Sequence, residues 1–311
     1  MSDGILVIGS VNHDTFYRVR ELPKPHETIA SDSVFFAPGG KGANQAAAAA
    51  LATRRNVALL GGVGADMQAG VCTDYLMGCG VDVSQLVAVA DAPTGTACVV
   101  VDDAGDNLIV ISAGANGRIT PGVIAAADAA FEAAGLVVLQ FEIPVEAIRA
   151  SLEMARERGK RTILNPAPYH IAARDLIPLA DIVTPNQTEA SSLLGRAVSE
   201  PTSAHEAAVD ILALGAKSAI VTLGGQGCVV ADGRHVEHVP AYPVREIVDT
   251  TGAGDVFNGA LAAALADGAE LIEAARFGSA AAALSVQKPS AAHCAPRREV
   301  TLEFQASVDL D

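Results

Sequence analysis

Short apolar runs that alternate with helical segments limit the fold of this chain more than any other feature. Such runs occur at 5–9, 57–60, 136–140, 161–164, 181–183 and 218–223, and helical patterns follow most of them. Strands buried on both faces are continuously apolar, and the crossings between parallel strands run through helices. The sequence therefore predicts an α/β fold with a doubly wound, mostly parallel sheet flanked by helices.

Two segments interrupt this alternation. Residues 11–38 and 81–112 lack a helical period and alternate weakly between apolar and polar side chains, as strands do. We expect these two segments to form a small second sheet. The α/β core then comprises residues 1–10, 39–80 and 113–311.

Charge and composition exclude several classes of function. The formal net charge is −15 and no run of Lys or Arg occurs, so neither nucleic acid nor a membrane is an expected partner. The apolar run at 5–8 is too short for a signal peptide, and nothing approaches the roughly 20 apolar residues of a membrane span. The five cysteines are scattered, which is typical of reduced thiols. We therefore expect a cytoplasmic protein.

Isolated polar residues follow the predicted strands at the points where these end. Any one of them alone is compatible with a helix cap or a loop. Together they predict an active site, because ligands of open α/β sheets bind beyond the carboxyl ends of the strands. The residues are Asn12, Asp14, Gln140, Glu142, Asn165, Thr184, Asn186, Thr222 and Asp249.

A small-residue turn at 249–255, Asp-Thr-Thr-Gly-Ala-Gly-Asp, opens an apolar helix. The unpaired N–H groups of a helix N-terminus attract anions, and Gly252, Ala253 and Gly254 let a phosphoryl group approach them. A carboxylate beside an anion site is repelled by the anion, so Asp255 is better suited to accept a proton. Taken alone, the same turn is equally compatible with an ordinary helix cap.

Two further glycine-rich turns occur. The turn at 39–44 opens an alanine-rich helix, and its Lys41 and Asn44 offer donors suited to hydroxyl groups. Its spacing is neither that of a P-loop nor that of a dinucleotide fingerprint. The turn at 223–227 follows a strand, and a hairpin explains it as well as a ligand site does.

These motifs together resemble the paired signatures of the pfkB family of carbohydrate kinases, and within it those of the ribokinases. The resemblance rests on the turns at 39–45 and 249–260 and on motifs at 9–14, 164–168, 184–189 and 222–227, in the expected order. It extends from about residue 5 to residue 300. The resemblance implies a ribokinase-like fold in which the two β segments form a lid that also mediates a homodimer.

The resemblance also implies a reaction, the ATP-dependent phosphorylation of D-ribose at O5 to ribose 5-phosphate and ADP. Asp255 is then the general base, and the backbone N–H groups of Gly252, Ala253, Gly254 and Asp255 form an anion hole. Another sugar or nucleoside of the family, such as deoxyribose, fructose or a ketodeoxy sugar acid, is the alternative substrate. A non-catalytic sensor of sugar or nucleotide is disfavoured, because a sensor does not need Asp255.

Binding residues carry over from the resemblance position by position. Those expected to contact the sugar are Asn12, Asp14, Gly40, Lys41, Asn44, Glu142 and Asp255. Those expected to contact the nucleotide are Asn186, Thr222, Gly224 and Gly227, and Asn186 and Glu189 are expected to hold Mg²⁺ through water.

The resemblance further implies an activating K⁺. Its expected ligands, mostly through backbone groups, are Asp249, Thr251, Ser285, Lys288, Ser290 and Cys294. Cys294 stands where a serine is usual, and a thiol is a poor ligand for a hard cation. Activation by K⁺ is therefore an open point in this sequence.

Overall fold

The computed structural model describes residues 3–289 and 294–308. Its strands, in chain order, are β1 (Gly4–Ile8), β2 (Asn12–Arg18), β3 (Ser33–Gly39), β4 (Val57–Gly64), β5 (Val81–Asp82), β6 (Leu86–Val89), β7 (Thr96–Val101), β8 (Asn107–Ser112), β9 (Ala134–Leu139), β10 (Arg161–Leu164), β11 (Ile182–Val183), β12 (Ser218–Thr222), β13 (Cys228–Ala231) and β14 (Val236–Val239).

The main sheet has the order β14-β13-β12-β11-β10-β9-β1-β4-β5, and β6 also pairs with β4. Pairing is parallel from β12 through β5, whereas β13 and β14 form an antiparallel hairpin at one edge. All five residues of β1 are buried at the centre of this sheet, as a continuously apolar strand should be. The predicted doubly wound, mostly parallel sheet is confirmed.

Helices cover both faces of the sheet. In chain order they are α1 (Lys41–Ala52), α2 (Met67–Gly78), α3 (Pro121–Ala126), α4 (Asp128–Ala133), α5 (Val145–Glu157), α6 (Ala173–Leu176), α7 (Gln187–Leu194), α8 (Pro201–Ala213), α9 (Ala253–Ala266), α10 (Leu271–Ser285) and α11 (Arg298–Ala306). Helices α1, α2, α9 and α10 share one apolar core with one face of the sheet, and α3 to α8 share a second core with the other. No helix in residues 3–289 and 294–308 is long and apolar enough to cross a membrane.

The second sheet has the order β3-β2-β7-β8. Its strands come from the two segments that interrupt the β/α alternation, as expected. The first part of the segment 81–112 differs from the prediction, because β5 and β6 both pair with β4 and extend the main sheet. The second sheet is therefore confined to 12–39 and 96–112.

Helices α1 and α9 lie side by side across the main sheet, and a glycine sets how closely they approach. A Cβ atom on Gly259 of α9 would lie 2.5 Å from the backbone oxygen of Gln45 and 2.6 Å from the Cβ atom of Ala48, both in α1. This close approach places the N-terminal turns of the two helices, and with them the two main glycine-rich turns, next to each other.

Candidate active site

The predicted polar residues meet at the carboxyl edge of the main sheet. The ends of β12, β11, β10, β9 and β1 are consecutive neighbours there. Asn165 links two of these ends, because its Nδ2 atom donates to the backbone oxygen of Thr184 at 2.8 Å. Thr222 forms a bridge with Asn186 across the next pair. The sheet order therefore gathers residues that lie far apart in the sequence.

Asp255 lies in the first turn of α9 with its side chain 6% exposed. Asn44 Nδ2 donates to Asp255 Oδ2 at 3.0 Å, and Gln45 Nε2 donates to Asp255 Oδ1 at 2.9 Å. Each carboxylate oxygen thus accepts one N–H group from α1. This arrangement fixes the plane of the carboxylate and leaves further lone pairs for a proton.

Among the described residues, Asn44 Oδ1 is a buried side-chain oxygen without a hydrogen-bond partner. Its amide nitrogen is engaged by Asp255, so the orphan oxygen belongs to a side chain whose orientation is already set. A buried acceptor without a donor is destabilising, and a ligand hydroxyl is the group that would satisfy it. The candidate base Asp255 and a candidate acceptor for a ligand hydroxyl, Asn44 Oδ1, therefore belong to two side chains that are hydrogen-bonded to each other.

The sugar side of the site is built from the start of β2, which carries Asn12 and Asp14. Asp14 Oδ1 accepts from the backbone N–H of Ala97 at 2.6 Å. Burial raises the pKa of the Asp14 carboxyl to about 6, and the Glu142 carboxylate adds to this, while the hydrogen bonds from Ala97 and Asn12 oppose it. The second sheet thus supplies Asp14 with both its backbone donor and part of its low-dielectric surroundings.

Asn116, which we did not single out from the sequence, orients Asn12. Asn116 Nδ2 donates to Asn12 Oδ1 at 2.9 Å and to the backbone oxygen of Val11 at 3.1 Å, and Asn116 Oδ1 accepts from the N–H of Val11 at 2.9 Å. With its oxygen engaged, the Asn12 side chain presents its NH₂ group to the site. No local sequence signal marks Asn116, because its partners lie about a hundred residues away.

Glu142 connects the end of β9 to the start of α1. Its Oε2 atom accepts from the Ser10 hydroxyl at 2.5 Å and from the backbone N–H of Lys41 at 2.9 Å. A carboxylate at this position interacts favourably with the helix N-terminus. Glu142 and Asn12 also line a cavity of about 290 Å³ whose apolar wall includes Ile111 of the second sheet.

A second, larger cavity of about 670 Å³ lies at the opposite edge of the main sheet, where it is lined by Arg161, Thr162 and Lys217. These residues precede or begin the strands, whereas the polar groups described above follow them. The smaller cavity, which contains predicted sugar contacts, is therefore the one that belongs to the candidate site.

Lys41 supplies the positive charge of the site. The Asp255 carboxylate raises the pKa of the Lys41 ammonium, burial opposes this rise, and the carboxylates of Glu142 and Glu189 reinforce it. The side chain is therefore cationic at neutral pH. The ammonium group interacts with three carboxylates. They belong to the candidate base Asp255, to Glu142 of the predicted sugar site and to Glu189 of the predicted magnesium site.

The N-terminus of α9 has open space in front of it. Gly252 is the N-cap with φ of 76°, a backbone conformation that side chains other than glycine rarely adopt. A Cβ atom on Gly254, by contrast, would meet no atom of the described chain within 4 Å. Glycine at 254 is therefore not required by packing, and its missing side chain leaves room for an anion at the helix N-terminus, where the N–H of Ala253 donates to the backbone oxygen of Thr250 at 3.2 Å.

Asn186 and Glu189 form a capping box at the start of α7. Asn186 Oδ1 accepts from the N–H of Glu189, and Glu189 Oε2 and Oε1 accept from the backbone N–H and the Nδ2 atom of Asn186, at 2.9 to 3.0 Å. Burial raises the pKa of the Glu189 carboxyl, and the Asn186 hydrogen bond and the Lys41 charge oppose this. Oxygen ligands suit Mg²⁺, which keeps most of its waters, so these residues fit a magnesium ion held through water.

The predicted nucleotide loop follows β12. The N–H of Thr222 donates to the backbone oxygen of Pro185 at 3.0 Å, which places the loop beside Asn186. A side chain on Gly224 would meet no atom within 4 Å in the described chain, so this part of the loop is open. At Gly227 an added Cβ atom would lie 2.0 Å from the backbone oxygen of Val239, so the hairpin also requires glycine at this predicted nucleotide contact.

The predicted monovalent-cation residues are brought together in part. The N–H groups of Val248 and Asp249 donate to the backbone oxygen of Val286, which places Asp249 beside Ser285. Burial raises the pKa of the Cys294 thiol to about 11, so the sulfur is neutral at physiological pH and remains a poor ligand for K⁺.

The other residues predicted for this cation site are Thr251, Lys288 and Ser290. Thr251 donates its N–H to Asp249 Oδ1 at 2.8 Å, and Lys288 is exposed. Ser290 lies outside the described residues. Asp249 therefore offers the one carboxylate among the described members of this set, and any cation shell here depends on backbone oxygens.

Comparison with known proteins agrees with this geometry. Residues 2–298 match the pfkB family carbohydrate kinase profile. The chain is 36% identical over 304 residues to a ribokinase of Haemophilus influenzae, covering 98% of this chain and 99% of the relative. It is 36% identical over 301 residues to a ribokinase of Staphylococcus aureus, covering 96% and 98%.

A solved structure of Arabidopsis thaliana ribokinase complexed with ribose and ATP superposes with a TM-score of 0.88. The two sequences are 31% identical, and the match covers 98% of this chain and 99% of that chain. The resemblance inferred from the motifs and the predicted ribokinase-like fold are both confirmed. This chain belongs to the pfkB family of carbohydrate kinases.

Proposed function

We propose that this protein transfers the γ-phosphoryl group of ATP to the O5 hydroxyl of D-ribose, giving ribose 5-phosphate and ADP. The observation that carries the proposal is the pairing of Asp255 with Asn44 at the open N-terminus of α9. In this proposal Asp255 is the proton acceptor, the unpaired oxygen of Asn44 accepts from a sugar hydroxyl, and the helix N-terminus beside them binds the anion. Similarity to the ribokinases named above supports ribose as the sugar.

In this proposal the sugar hydroxyls are held by groups whose hydrogen bonds are incomplete without them. Asn12 presents its NH₂ group, Asp14 and Glu142 present carboxylate oxygens, and Asn44 presents its orphan oxygen. Lys41 and the backbone at Gly40 complete the predicted set. Such a site rejects an analogue that lacks a hydroxyl, because a buried polar group is then left without a partner.

Transfer follows from position and charge. Asp255 accepts the proton of the attacking hydroxyl, and the N–H groups of residues 252–255 stabilise the negative charge of the transferring group. Thr222 and Gly224 border the phosphates of ATP, and Asn186 and Glu189 orient the waters of a magnesium ion. Magnesium bound with ATP supplies charge neutralisation on the phosphates.

The test is a panel of sugars and nucleosides with ATP and Mg²⁺, with ADP release followed by a coupled assay and the product identified by ³¹P NMR. We expect ribose to give the highest kcat/KM and a 5-phosphate product. A higher kcat/KM for deoxyribose, fructose, a ketodeoxy sugar acid or a nucleoside would replace ribose as the substrate. ADP release that no acceptor stimulates would favour a sensor instead.

The same panel, run with K⁺ and with Na⁺, decides whether a monovalent cation activates the enzyme. We propose that any activation by K⁺ is weak, because the Cys294 thiol is neutral and soft. Replacing Cys294 by serine should then increase the stimulation by K⁺. Strong stimulation of the wild type by K⁺ would show that backbone oxygens suffice.

We also propose a homodimer through the second sheet. Thr15 pairs with Phe36 and Cys98, and Cys98 pairs with Val110, so these side chains share one face, whereas Asp14 points to the other. The exposed apolar side chains on the face away from the site are Tyr17, Val34, Phe36, Leu108 and Val110. Apolar patches of this kind mark interaction surfaces, and a second copy would cover this one.

Sedimentation at micromolar concentration tests the dimer. Val110→Asp should give monomers, whereas Ile171→Asp, at another exposed apolar residue, should leave the assembly unchanged. A monomeric wild type would contradict the proposal. We propose a cytoplasmic location as well, since the cysteines are scattered along the sequence in a way that is typical of reduced thiols.

A further inference from the structure

A network of buried amide side chains is hydrogen-bonded to Asp255. Gln45 Nε2 donates to Asp255 Oδ1 at 2.9 Å and to Asn165 Oδ1 at 3.2 Å. Gln45 Oε1 in turn accepts from Gln140 Nε2 at 2.7 Å. Gln45 and Gln140 are both 0% exposed, so these contacts are made without water.

The carboxylate of Asp255 dictates the direction of every hydrogen bond in this network. An ionised carboxylate only accepts, so Gln45 must turn its NH₂ group toward Asp255 and its oxygen toward Gln140. Gln140 must then present its own NH₂ group to Gln45. Asn165 has the same orientation, since its NH₂ group donates to the backbone oxygen of Thr184 and its oxygen faces Gln45.

This direction leaves Gln140 Oε1 without a donor, and it is one of two buried side-chain oxygens in that condition among the described residues. The atom is pressed against the backbone of Gly9, where a Cβ atom would lie 2.0 Å from it. An unpaired buried acceptor destabilises a fold, and an apolar side chain at 140 would remove this one but would leave Gln45 Oε1 without its donor. The hydrogen bond that Gln140 donates therefore satisfies and orients Gln45.

We propose that Gln140 and Gln45 are positioning residues for the base, with Gln140 fixing the rotamer of Gln45 and Gln45 fixing the plane of the Asp255 carboxylate. The inference rests on the proposed phosphorylation of a sugar hydroxyl by this site. Neither residue touches substrate. Each acts through its neighbour, and the unsatisfied oxygen of Gln140 is the structural consequence of a donor chain aimed at Asp255.

The decisive variant is Gln140→Leu, which removes the orphan oxygen and the donor to Gln45 but keeps the side-chain volume. We expect a melting temperature close to that of the wild type, because one buried unpaired oxygen replaces another, together with a kcat about tenfold lower and a KM for ribose within about twofold of wild type. A residue that merely filled the core would change the melting temperature and leave kcat as it is. A wild-type kcat in Gln140→Leu would overturn the proposal.

Thr162→Val is the matched control. Thr162 is also buried, at 1% exposure, and its hydroxyl is hydrogen-bonded to Asp181 at the opposite edge of the sheet. This variant should lower the melting temperature and leave kcat unchanged. A fall in kcat equal to that of Gln140→Leu would show that any buried polar deletion affects turnover, which would also overturn the proposal.

A double-mutant cycle tests whether Gln140 acts on Asp255 through Gln45. In a Gln45→Leu background, Gln140→Leu should cause no further loss of kcat, because its effect passes through Gln45. Additive losses would refute that route. If Gln45→Leu does not fold, the kcat and KM of Gln140→Leu decide alone.

The proposed function and this inference fail separately. A wild type that does not phosphorylate ribose removes ribose as the substrate, and the cycle is then run with whichever acceptor the panel identifies. A wild type that is active on ribose, together with a Gln140→Leu variant of unchanged kcat, removes the positioning role alone.

Discussion

The substitution Gly254→Ala tests the role of the proposed anion site in turnover independently of the stability of α9. Gly254 is the second residue of α9, its φ is not positive, and an added Cβ atom would meet no described atom within 4 Å. Alanine is favoured over glycine in helices by roughly 0.5–1 kcal/mol. The variant should therefore unfold about 1–3 °C higher than the wild type, since about 1 kcal/mol corresponds to a few degrees in a chain of this size.

The same methyl group should impair turnover, because the space that it enters is the space proposed for the transferring phosphoryl group. A displacement of about 1 Å in a reacting group can lower the rate by about 100-fold. On this basis we expect kcat to fall by roughly 10- to 100-fold, with little change in the KM for ribose. A coupled ADP assay and thermal unfolding of the same preparation measure both quantities.

Gly70→Ala provides the matched control for this variant. Gly70 lies in the N-terminal part of α2, is exposed, and likewise has no described atom within 4 Å of an added Cβ. It should show a similar rise in melting temperature and a wild-type kcat. A Gly254→Ala enzyme whose kcat stays within about twofold of wild type would refute the argument that glycine at 254 keeps the phosphoryl space open.

Four other predictions follow from contacts in the site. Asp255→Asn should lower kcat by about 10²–10⁴-fold in the coupled assay, because the base is lost, and also lower the melting temperature, because its NH₂ group would face one of the two donors that the carboxylate now accepts from; near-normal kcat would refute the base. For Asp14, the value of kcat/KM for ribose should fall as the pH decreases through about 6, since protonation removes an acceptor, and Asp14→Asn should abolish this limb; a limb that persists has another origin. Glu142→Ala should raise the KM for ribose in initial-rate assays, and an unchanged KM would remove Glu142 from the sugar site. Gly259→Ala should lower the free energy of unfolding by about 1–3 kcal/mol in denaturant titrations and should also lower kcat, because its Cβ atom would be forced to 2.5 Å from the backbone oxygen of Gln45. A wild-type stability would contradict the tight contact between α1 and α9.

The strands and the edge that carries the site were predictable, because burial on both faces leaves a continuous apolar signal and parallel strands end together. The assignment of 81–89 was not, since two-residue and four-residue strands such as Val81–Asp82 and Leu86–Val89 carry no signal for which sheet they join. They pair with β4, which lies earlier in the chain. The local sequence pattern therefore predicts that these segments are strands, whereas tertiary pairing determines which sheet they join.

The site shows the same division between local and distant information. Asn44 and Asp255 stood out because each lies in a glycine-rich turn. Gln45 stands directly beside Asn44, yet its importance depends on a carboxylate 210 residues away, and that of Asn116 depends on residues about a hundred positions earlier. Gly227 differs from these residues, since its place in a motif predicts a nucleotide contact and the packing of the hairpin also requires glycine there.

The position of a general base beside an anion site is an electrostatic problem, and Lys41 accounts for how this chain solves it. The protein carries a net charge of −15, so its overall field repels ATP, and the attraction must be local. The ammonium of Lys41 interacts favourably with Asp255, with Glu142 on the sugar side and with Glu189 on the nucleotide side. Its interactions with all three carboxylates place this cation between the proposed sugar site and the proposed nucleotide site. Lys41 therefore offsets the charge of Asp255 beside the proposed phosphoryl site, and the amides of Asn44 and Gln45 donate to both oxygens of this carboxylate.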